Sequence, residues 1–305
     1  MRHALRSVLF ALLVLVLGVP ARAAVQVAAT TADLAAITAA VGGPHVQVTA
    51  LSLPTQDPHW VDARPNLALT LSKADLLVVV GLEMEVGWLP TLQTGSRNRK
   101  IQTGALGYLD CSQFVRLLQV PTQRVDRSMG DIHPGGNPHY TWDPRAAVAV
   151  AKGVATRLGA IDPAHAADYT AGAARFAAEV DAARAGWEAR LAPLRGQQVV
   201  GFHMSWPYLA DWLGFTMLTH IEPRPGIPPT PAHVAEVLRM MRAAGARVIL
   251  MEEYHANAAT EQVASRTGAH ILRLPGGTRF QQGQTYLQFM DGVVGMLEAE
   301  LRRAP

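Results

Sequence analysis

Short apolar runs alternate with amphipathic stretches along most of the chain. The run at 75–81 is almost continuously apolar, as in a strand that is covered on both faces of a parallel sheet. The pattern predicts strands at 25–30, 46–53, 75–81, 100–103, 198–202, 215–221, 247–251 and 270–274. It predicts helices at 33–41, 66–73, 85–92, 206–212, 230–244, 258–267 and 286–302, and a further helix that Asp143-Pro144 opens. Because strands and helices alternate in both halves, we expect two parallel-sheet α/β lobes.

One long helical pattern separates the two halves. Between 163 and 194, apolar side chains recur every three or four residues, from Tyr169 to Leu191. About 30 residues at 1.5 Å per residue give a helix of about 45 Å. We therefore predict an α/β protein of two parallel-sheet lobes joined by one long rigid helix. The predicted bounds are 24–162 for the N-terminal lobe, 163–194 for the linking helix and 195–305 for the C-terminal lobe.

The first residues are typical of a secretory signal peptide. Arg2 and Arg6 precede an apolar run at 8–19, and Ala21-Arg22-Ala23 is a small-x-small cleavage site. The predicted signal peptide covers 1–23, so the mature chain is expected in the periplasm. The only cysteine, Cys111, lies far from the cleavage site. We therefore expect a soluble protein that has neither a lipid anchor nor an internal disulfide.

The net charge of +3 belongs to the predicted signal peptide. That segment holds three arginines and no acidic residue, so the mature chain is neutral. A neutral chain gives no reason to expect nucleic acid or an anionic membrane as a partner. We expect a monomer that is not inserted in the membrane once the signal peptide is removed.

Three histidines lie in separate, distinctive settings. His59 follows an Asp-Pro pair, His139 follows an Asn-Pro pair, and His203 follows a predicted strand. They are 80 and 64 residues apart, so only the tertiary fold can bring them together. His59, His203 and Glu252 come at or just after the ends of predicted strands, where open α/β sheets bind ligands. Since converging imidazoles most often bind a transition metal, we predict His59, His139, His203 and Glu252 as metal ligands.

Several segments resemble the zinc/manganese-type metal-binding receptors of ABC importers. The motifs that carry the resemblance are Asp57-Pro58-His59, the segment 65–88, the segment 137–144, His203 and the proline-rich loop 222–231. In this order they span nearly the whole mature chain. The resemblance implies the two-lobed fold, capture of a divalent metal ion in the periplasm and its delivery to a membrane permease.

The resemblance also implies a fourth ligand that this chain lacks. Members of the family often have an aspartate before a proline late in the second lobe, whereas here Leu274 precedes Pro275. Leucine cannot bind a metal, so Glu252 or water is expected at the fourth position. The histidine-rich loop of many zinc-type members is reduced to His133. His133 and His255 stay open as accessory ligands.

The ligand types bear on the identity of the metal. Three imidazoles suit Zn(II), and also Cu, Ni or Fe(II), whereas Mn(II) prefers more oxygen ligands. We expect zinc as the transported ion and no enzymatic activity. Two other functions stay open: a metallohydrolase whose open metal position activates water, and a metal-free binding or adhesion module. The sequence has no His-Glu-x-x-His motif, which argues against the hydrolase.

Overall fold

The computed structural model describes residues 23–123, 125, 130 and 133–303. The predicted signal peptide lies outside the described residues, apart from Ala23. Within the described part of the chain, no helix combines the length and the apolar character that a membrane span requires.

The first half of the chain, called the first lobe below, is built on a four-stranded parallel sheet. Its strands are β1 (Val25–Ala29), β2 (Val46–Ala50), β3 (Leu76–Val79) and β4 (Tyr108–Asp110). Its helices are α1 (Ala32–Gly42), α2 (Pro65–Lys73), α3 (Leu89–Gly95) and α4 (Pro144–Ile161). The strand order is β2-β1-β3-β4. In register, Ala28 lies beside Leu77, and Val78 lies beside Leu109.

The second half, the second lobe, repeats this arrangement. Its strands are β5 (Gln198–Gly201), β6 (Thr216–His220), β7 (Val248–Glu252) and β8 (His270–Leu274). Its helices are α6 (Pro207–Leu213), α7 (Pro231–Ala244), α8 (Ala258–Thr267) and α9 (Tyr286–Leu301). The order β6-β5-β7-β8, again all parallel, matches that of the first lobe. The predicted α/β class with two parallel-sheet lobes is therefore confirmed.

Local sequence signals set the ends of many helices. The side chains of Asp143 and Thr230 accept hydrogen bonds from the first-turn amides of α4 and α7, which satisfies donors that have no partner inside a helix. Gly214, Gly245 and Gly268 end α6, α7 and α8 with left-handed φ values of 76°, 67° and 70°. Glycine adopts this conformation without a steric penalty, and the three helices end within one residue of the predicted ends at 212, 244 and 267.

The linking segment is shorter as a regular helix than the pattern predicts. The helix α5 covers Ala166–Arg190, which is 25 residues, or about 37 Å at 1.5 Å per residue. Short 3₁₀ turns that contain Pro163 and Pro193 flank it on either side. The helix contacts α1 and α4 of the first lobe and α9 of the second. It joins the lobes by packing along both of them.

The largest cluster of buried apolar residues runs through both lobes. It includes Val27 and Leu109 of the first sheet, Leu250 of the second, and Phe176 and Trp187 of α5. Two smaller clusters lie on the other faces, one on the first sheet and one on the second. A shared core of this kind resists wide separation of the lobes, because opening would expose close-packed apolar surface.

Two predictions in the first lobe are wrong. The predicted strand at 100–103 is instead a 3₁₀ turn, Arg99–Ile101, which Asn98 caps; the place beside β3 is taken by β4. The helix predicted at 85–92 begins only at Leu89. Residues 81–88 form tight turns in which Leu82 and Glu83 have φ values of 54° and 63°.

Candidate metal centre

The structure brings His59, His139 and His203 together. Each offers one ring nitrogen to a group of three atoms that all lie within 4.8 Å of one another, and all three side chains are buried. The ring centroids are 5.3 Å apart in every pair. His59 lies in the loop after β2, His139 shortly before α4, and His203 two residues after β5. The site is therefore shared by both lobes.

The two histidines of the first lobe are oriented by the same local device. The Oδ1 atom of Asp57 accepts hydrogen bonds from the backbone N–H of His59 at 3.0 Å and from its ring Nδ1 at 2.7 Å. The Oδ1 atom of Asn137 does the same for His139, at 2.9 and 3.0 Å. In both cases the acceptor lies two residues before the histidine. The device fixes each ring so that Nε2 points away from its own loop.

The histidine of the second lobe is held by a residue that is distant in sequence. Glu222 Oε2 lies 2.6 Å from Nδ1 of His203, and both side chains are largely buried. A carboxylate that accepts from Nδ1 fixes the tautomer with a bare Nε2 and makes that nitrogen a stronger ligand. Metal-binding histidines are typically held in this way.

The inward-facing nitrogens fit a bound metal ion. Nε2 of His139 and Nε2 of His203 are buried, and neither has a hydrogen-bond partner among the described residues. Nε2 of His59 lies 3.3 Å from Nε2 of His133. Buried polar atoms are normally paired. Unpaired imidazole nitrogens that face one another are suited to coordinate a shared transition-metal ion.

Glu252 lies outside the group of three nitrogens, although the sequence predicts it as a ligand. Its side chain is 1% exposed at the end of β7. Nε2 of His255 lies 3.8 Å from its Oε2. Neither carboxylate oxygen has a hydrogen-bond partner among the described residues. The strand end directs this carboxylate towards His255, so the structure does not bring it to the three imidazoles.

The surroundings shift the pKa values of His139 and His203 in opposite directions. Burial lowers the pKa of His139 well below its usual value, and the neighbouring histidines lower it further. Burial also lowers the pKa of His203, but its hydrogen bond to Glu222 and the charge of Glu252 outweigh this, so the pKa is raised. Burial alone would raise the pKa of Asp57, yet its contacts with His59 lower it to about 2. Asp57 therefore places anionic charge directly behind His59.

Two cavities meet at the site. The inner one has a volume of about 30 Å³ and is lined by His133, His139 and His203, among others. The outer one is a cleft of about 590 Å³ that is lined by His59, His133 and Trp60, among others. The inner cavity by itself has room for an ion, and the outer cleft that adjoins it is large enough for a small organic molecule.

Sequence reasoning missed two of the orienting residues. Asn137 had a local signal, because it precedes His139 by two residues as Asp57 precedes His59. Glu222 had none: it lies 19 residues from His203 along the chain, and only the pairing of β5 with β6 brings the two together. Asp143, which opens the predicted helix, caps α4 and pairs with Arg145.

Known proteins share both sequence and fold with this chain. A high-affinity zinc uptake system protein, ZnuA, from Paracoccus denitrificans is 27% identical over 190 residues, which is 52% of this chain and 54% of that protein. The chain thus matches about half the length of this relative. The crystal structure of ZnuA superimposes with a TM-score of 0.73 at 21% identity, covering 90% of this chain and 98% of the other. A mutant of the laminin-binding adhesin Lmb from Streptococcus agalactiae gives 0.74 at 22%, covering 91% and 99%.

The family model for the periplasmic component A of zinc-uptake complexes matches residues 27–299. This range includes both sheets, the linking helix and the three converging histidines. The match confirms the resemblance that the histidine motifs indicate. The chain belongs to the ZnuA family of periplasmic zinc-uptake components.

Proposed function

We propose that this protein captures a divalent transition-metal ion, zinc in preference to others, and delivers it to the permease of an ABC importer. The observation that carries the proposal is the convergence of three buried imidazoles from both lobes, two of which have Nε2 atoms without a hydrogen-bond partner among the described residues. His59, His139 and His203 are the proposed ligands. Membership of a zinc-uptake family supports the same assignment.

Zinc is favoured by the chemistry of the donors. The group within 4.8 Å contains nitrogen donors only. Imidazole suits Zn(II), Cu(II) and Fe(II), whereas Mn(II) prefers carboxylate and water. Asp57 and Glu222 lie behind two of the rings and offset the charge of a dication without binding it directly.

The proposed mechanism is reversible binding without covalent chemistry. The core that passes through both lobes and α5 opposes a wide hinge motion. Release of the ion to the permease is therefore assigned to local movement of the loops that carry the histidines. In this proposal the mature chain works as a monomer in the periplasm without a lipid anchor. Its only cysteine, Cys111, is buried in the first lobe.

The two alternatives have less support. A hydrolase would require a general base near the metal and room for a substrate. Glu252, the carboxylate that the sequence offers for the role of base, lies outside the group of three imidazoles, with its Oε2 3.8 Å from Nε2 of His255. An adhesion module shares the fold, as the Lmb structure shows, but adhesion would not by itself require converging buried imidazoles.

Zinc binding by untagged, metal-stripped protein tests the proposal. A chromophoric chelator competes for zinc, and the stoichiometry and the Kd are measured for the parent and for His203→Ala. We expect a single high-affinity zinc ion in the parent and a loss of at least about 100-fold in the variant, since a ligand is removed and not merely an orienting residue. A parent that binds no zinc, or a zinc-dependent hydrolytic turnover that His203→Ala abolishes, would overturn the proposal.

A further inference from the structure

The three converging imidazoles leave one position of a tetrahedral zinc site open. Zinc commonly binds four ligands, and with Zn–N distances of about 2.0–2.1 Å two ligand nitrogens lie about 3.3–3.4 Å apart. Nε2 of His133 lies 3.3 Å from Nε2 of His59. The two ring centroids are 5.3 Å apart, the same as in each pair of the central group. The spacing of His133 from His59 is therefore that of two ligands of one ion.

The contact between these two rings needs a positive charge to be stable. Asp57 accepts from Nδ1 of His59, so in the neutral form of that ring Nε2 carries a lone pair. The ring of His133 is also hydrogen-bonded to the backbone of Leu82. Two bare nitrogens at 3.3 Å repel each other unless a proton or a cation lies between them. A shared metal ion would satisfy both lone pairs together with those of His139 and His203.

The backbone places His133 firmly next to the site. The backbone N–H of Gly136 donates to the carbonyl of His133 at 3.1 Å, which closes a turn directly before the Asn137-Pro138-His139 segment. Gly136 has a φ of 117°, a conformation that glycine adopts readily. A Cβ atom on Gly135 would lie 2.8 Å from the side chain of Leu82, so the turn packs closely on that residue. The turn that begins at His133 therefore holds its ring next to the site.

His133 also lies between the site and solvent. It is one of the residues that line both the inner cavity and the outer cleft, and its side chain is 9% exposed. Its nitrogen lies outside the 4.8 Å group. Coordination therefore requires a small shift of its turn towards His139 and His203.

We infer that His133 is the fourth metal ligand and closes the site on its solvent side. The inference rests on the proposed function and makes it more specific: the ion is bound by four imidazoles, with charge compensation only from the residues behind them. His133 takes the position for which the sequence suggests Glu252 or water.

X-ray absorption at the zinc edge of the zinc-loaded full-length mature chain counts the imidazole ligands directly. The same measurement, together with the Kd for zinc, is made on His133→Ala and on the control His255→Ala. His255 is a matched control because its ring lies 6.1 Å from that of His203 but outside the group. His133→Gln tests whether hydrogen bonding alone is needed, since the amide can donate to His59 but is a poor zinc ligand. Circular dichroism checks that each variant is folded.

The expected result is four imidazoles in the parent and in His255→Ala, and three in His133→Ala and His133→Gln. Both His133 variants should bind zinc at least about 10-fold more weakly than the parent. A parent with three imidazoles and a water, or variants with unchanged affinity, would overturn the inference and leave the proposed function intact. A parent that binds no zinc would overturn both. If His133→Ala fails to fold, the His133→Gln spectrum decides between the outcomes.

Discussion

The two lobes share one strand order, but the hydrogen bonding of a buried carboxylate differs between them. In the first lobe, Oε1 of Glu85 accepts from Thr30 Oγ1 at 2.6 Å and from Val80 N at 2.7 Å, and Oε2 accepts from Gly81 N at 3.2 Å. In the second lobe, neither oxygen of Glu252 has a hydrogen-bond partner among the described residues. Both side chains are at most 5% exposed.

The two carboxylates therefore differ in what satisfies them inside the protein. Glu85 replaces ladder hydrogen bonds at the carboxyl end of β3, in the place where a helix was predicted. Glu252 has no such role, and it adds negative charge near His203 and His255. Burying a carboxylate without hydrogen-bond partners costs free energy, so replacing Glu252 tests whether its position near His203 matters for zinc binding.

Replacing Glu85 with Ala should have the largest effect on stability. The change leaves a hydroxyl and two backbone N–H groups without their acceptor in a buried region. Buried unpaired donors cost about 1–3 kcal/mol each, so we expect a loss of at least about 3 kcal/mol in the free energy of unfolding. Urea denaturation of the metal-free protein measures it. A loss below about 1 kcal/mol would show that Glu85 is not a structural residue.

Asp57 in the first lobe and Glu222 in the second each accept a hydrogen bond from a proposed ligand ring. Asp57→Ala and Glu222→Ala each remove the acceptor behind one ligand ring, and each should weaken zinc binding about 10- to 100-fold. Asp57→Asn and Glu222→Gln keep an acceptor but remove the charge, so their losses should be smaller. Competition titrations measure all four. Equal losses for the Ala and amide variants would mean that charge, and not orientation, accounts for the effect.

The pH dependence should be governed by the second lobe. Because the pKa of His203 is raised while that of His139 is lowered, His203 is the first of the two to be protonated as the pH falls. Zinc must displace that proton, so affinity should fall by about tenfold per pH unit below the pKa of His203. In Glu222→Gln this pKa should decrease, and the onset should move to lower pH. Zinc titrations between pH 8 and pH 5 check this, and a flat profile would contradict ligation by histidine.

Replacing Glu252 with Gln should have the smallest effect. The side chain has no hydrogen-bond partner to lose among the described residues, so stability should be unchanged or slightly higher. Loss of its charge near His203 should weaken zinc binding by a few-fold, about 1 kcal/mol or less. The same titrations and urea curves measure both quantities. A loss of about 100-fold or more would instead make Glu252 a direct ligand, as the sequence predicts.

The sequence predicts features that depend on short segments. The helix stops at Gly214 and Gly245 follow from backbone conformation that glycine readily adopts, and the start of α4 at Asp143-Pro144 follows from capping. The three histidines stand out because two of them follow an Asx-Pro pair and the third follows a buried strand. These are local properties of the chain.

The sequence does not predict the features that depend on contacts between residues far apart in the chain. The segment 100–103 and β4 are both short and carry few apolar residues, and it is Tyr108–Asp110 that pairs with Leu77–Val79. The helix predicted from 85 onwards loses its first turn because Glu85 bonds to the end of β3. The pairing of His203 with Glu222, the 3.3 Å contact between His59 and His133 and the isolation of Glu252 likewise depend on the tertiary fold.

The central claim is that imidazoles from both lobes share one metal ion. Crystals of the zinc-loaded protein, with anomalous diffraction collected on both sides of the zinc edge, test it most directly. We predict a single strong zinc peak between the Nε2 atoms of His59, His139 and His203. A zinc peak elsewhere on the molecule, or ring nitrogens too far apart to share one ion, would contradict the account.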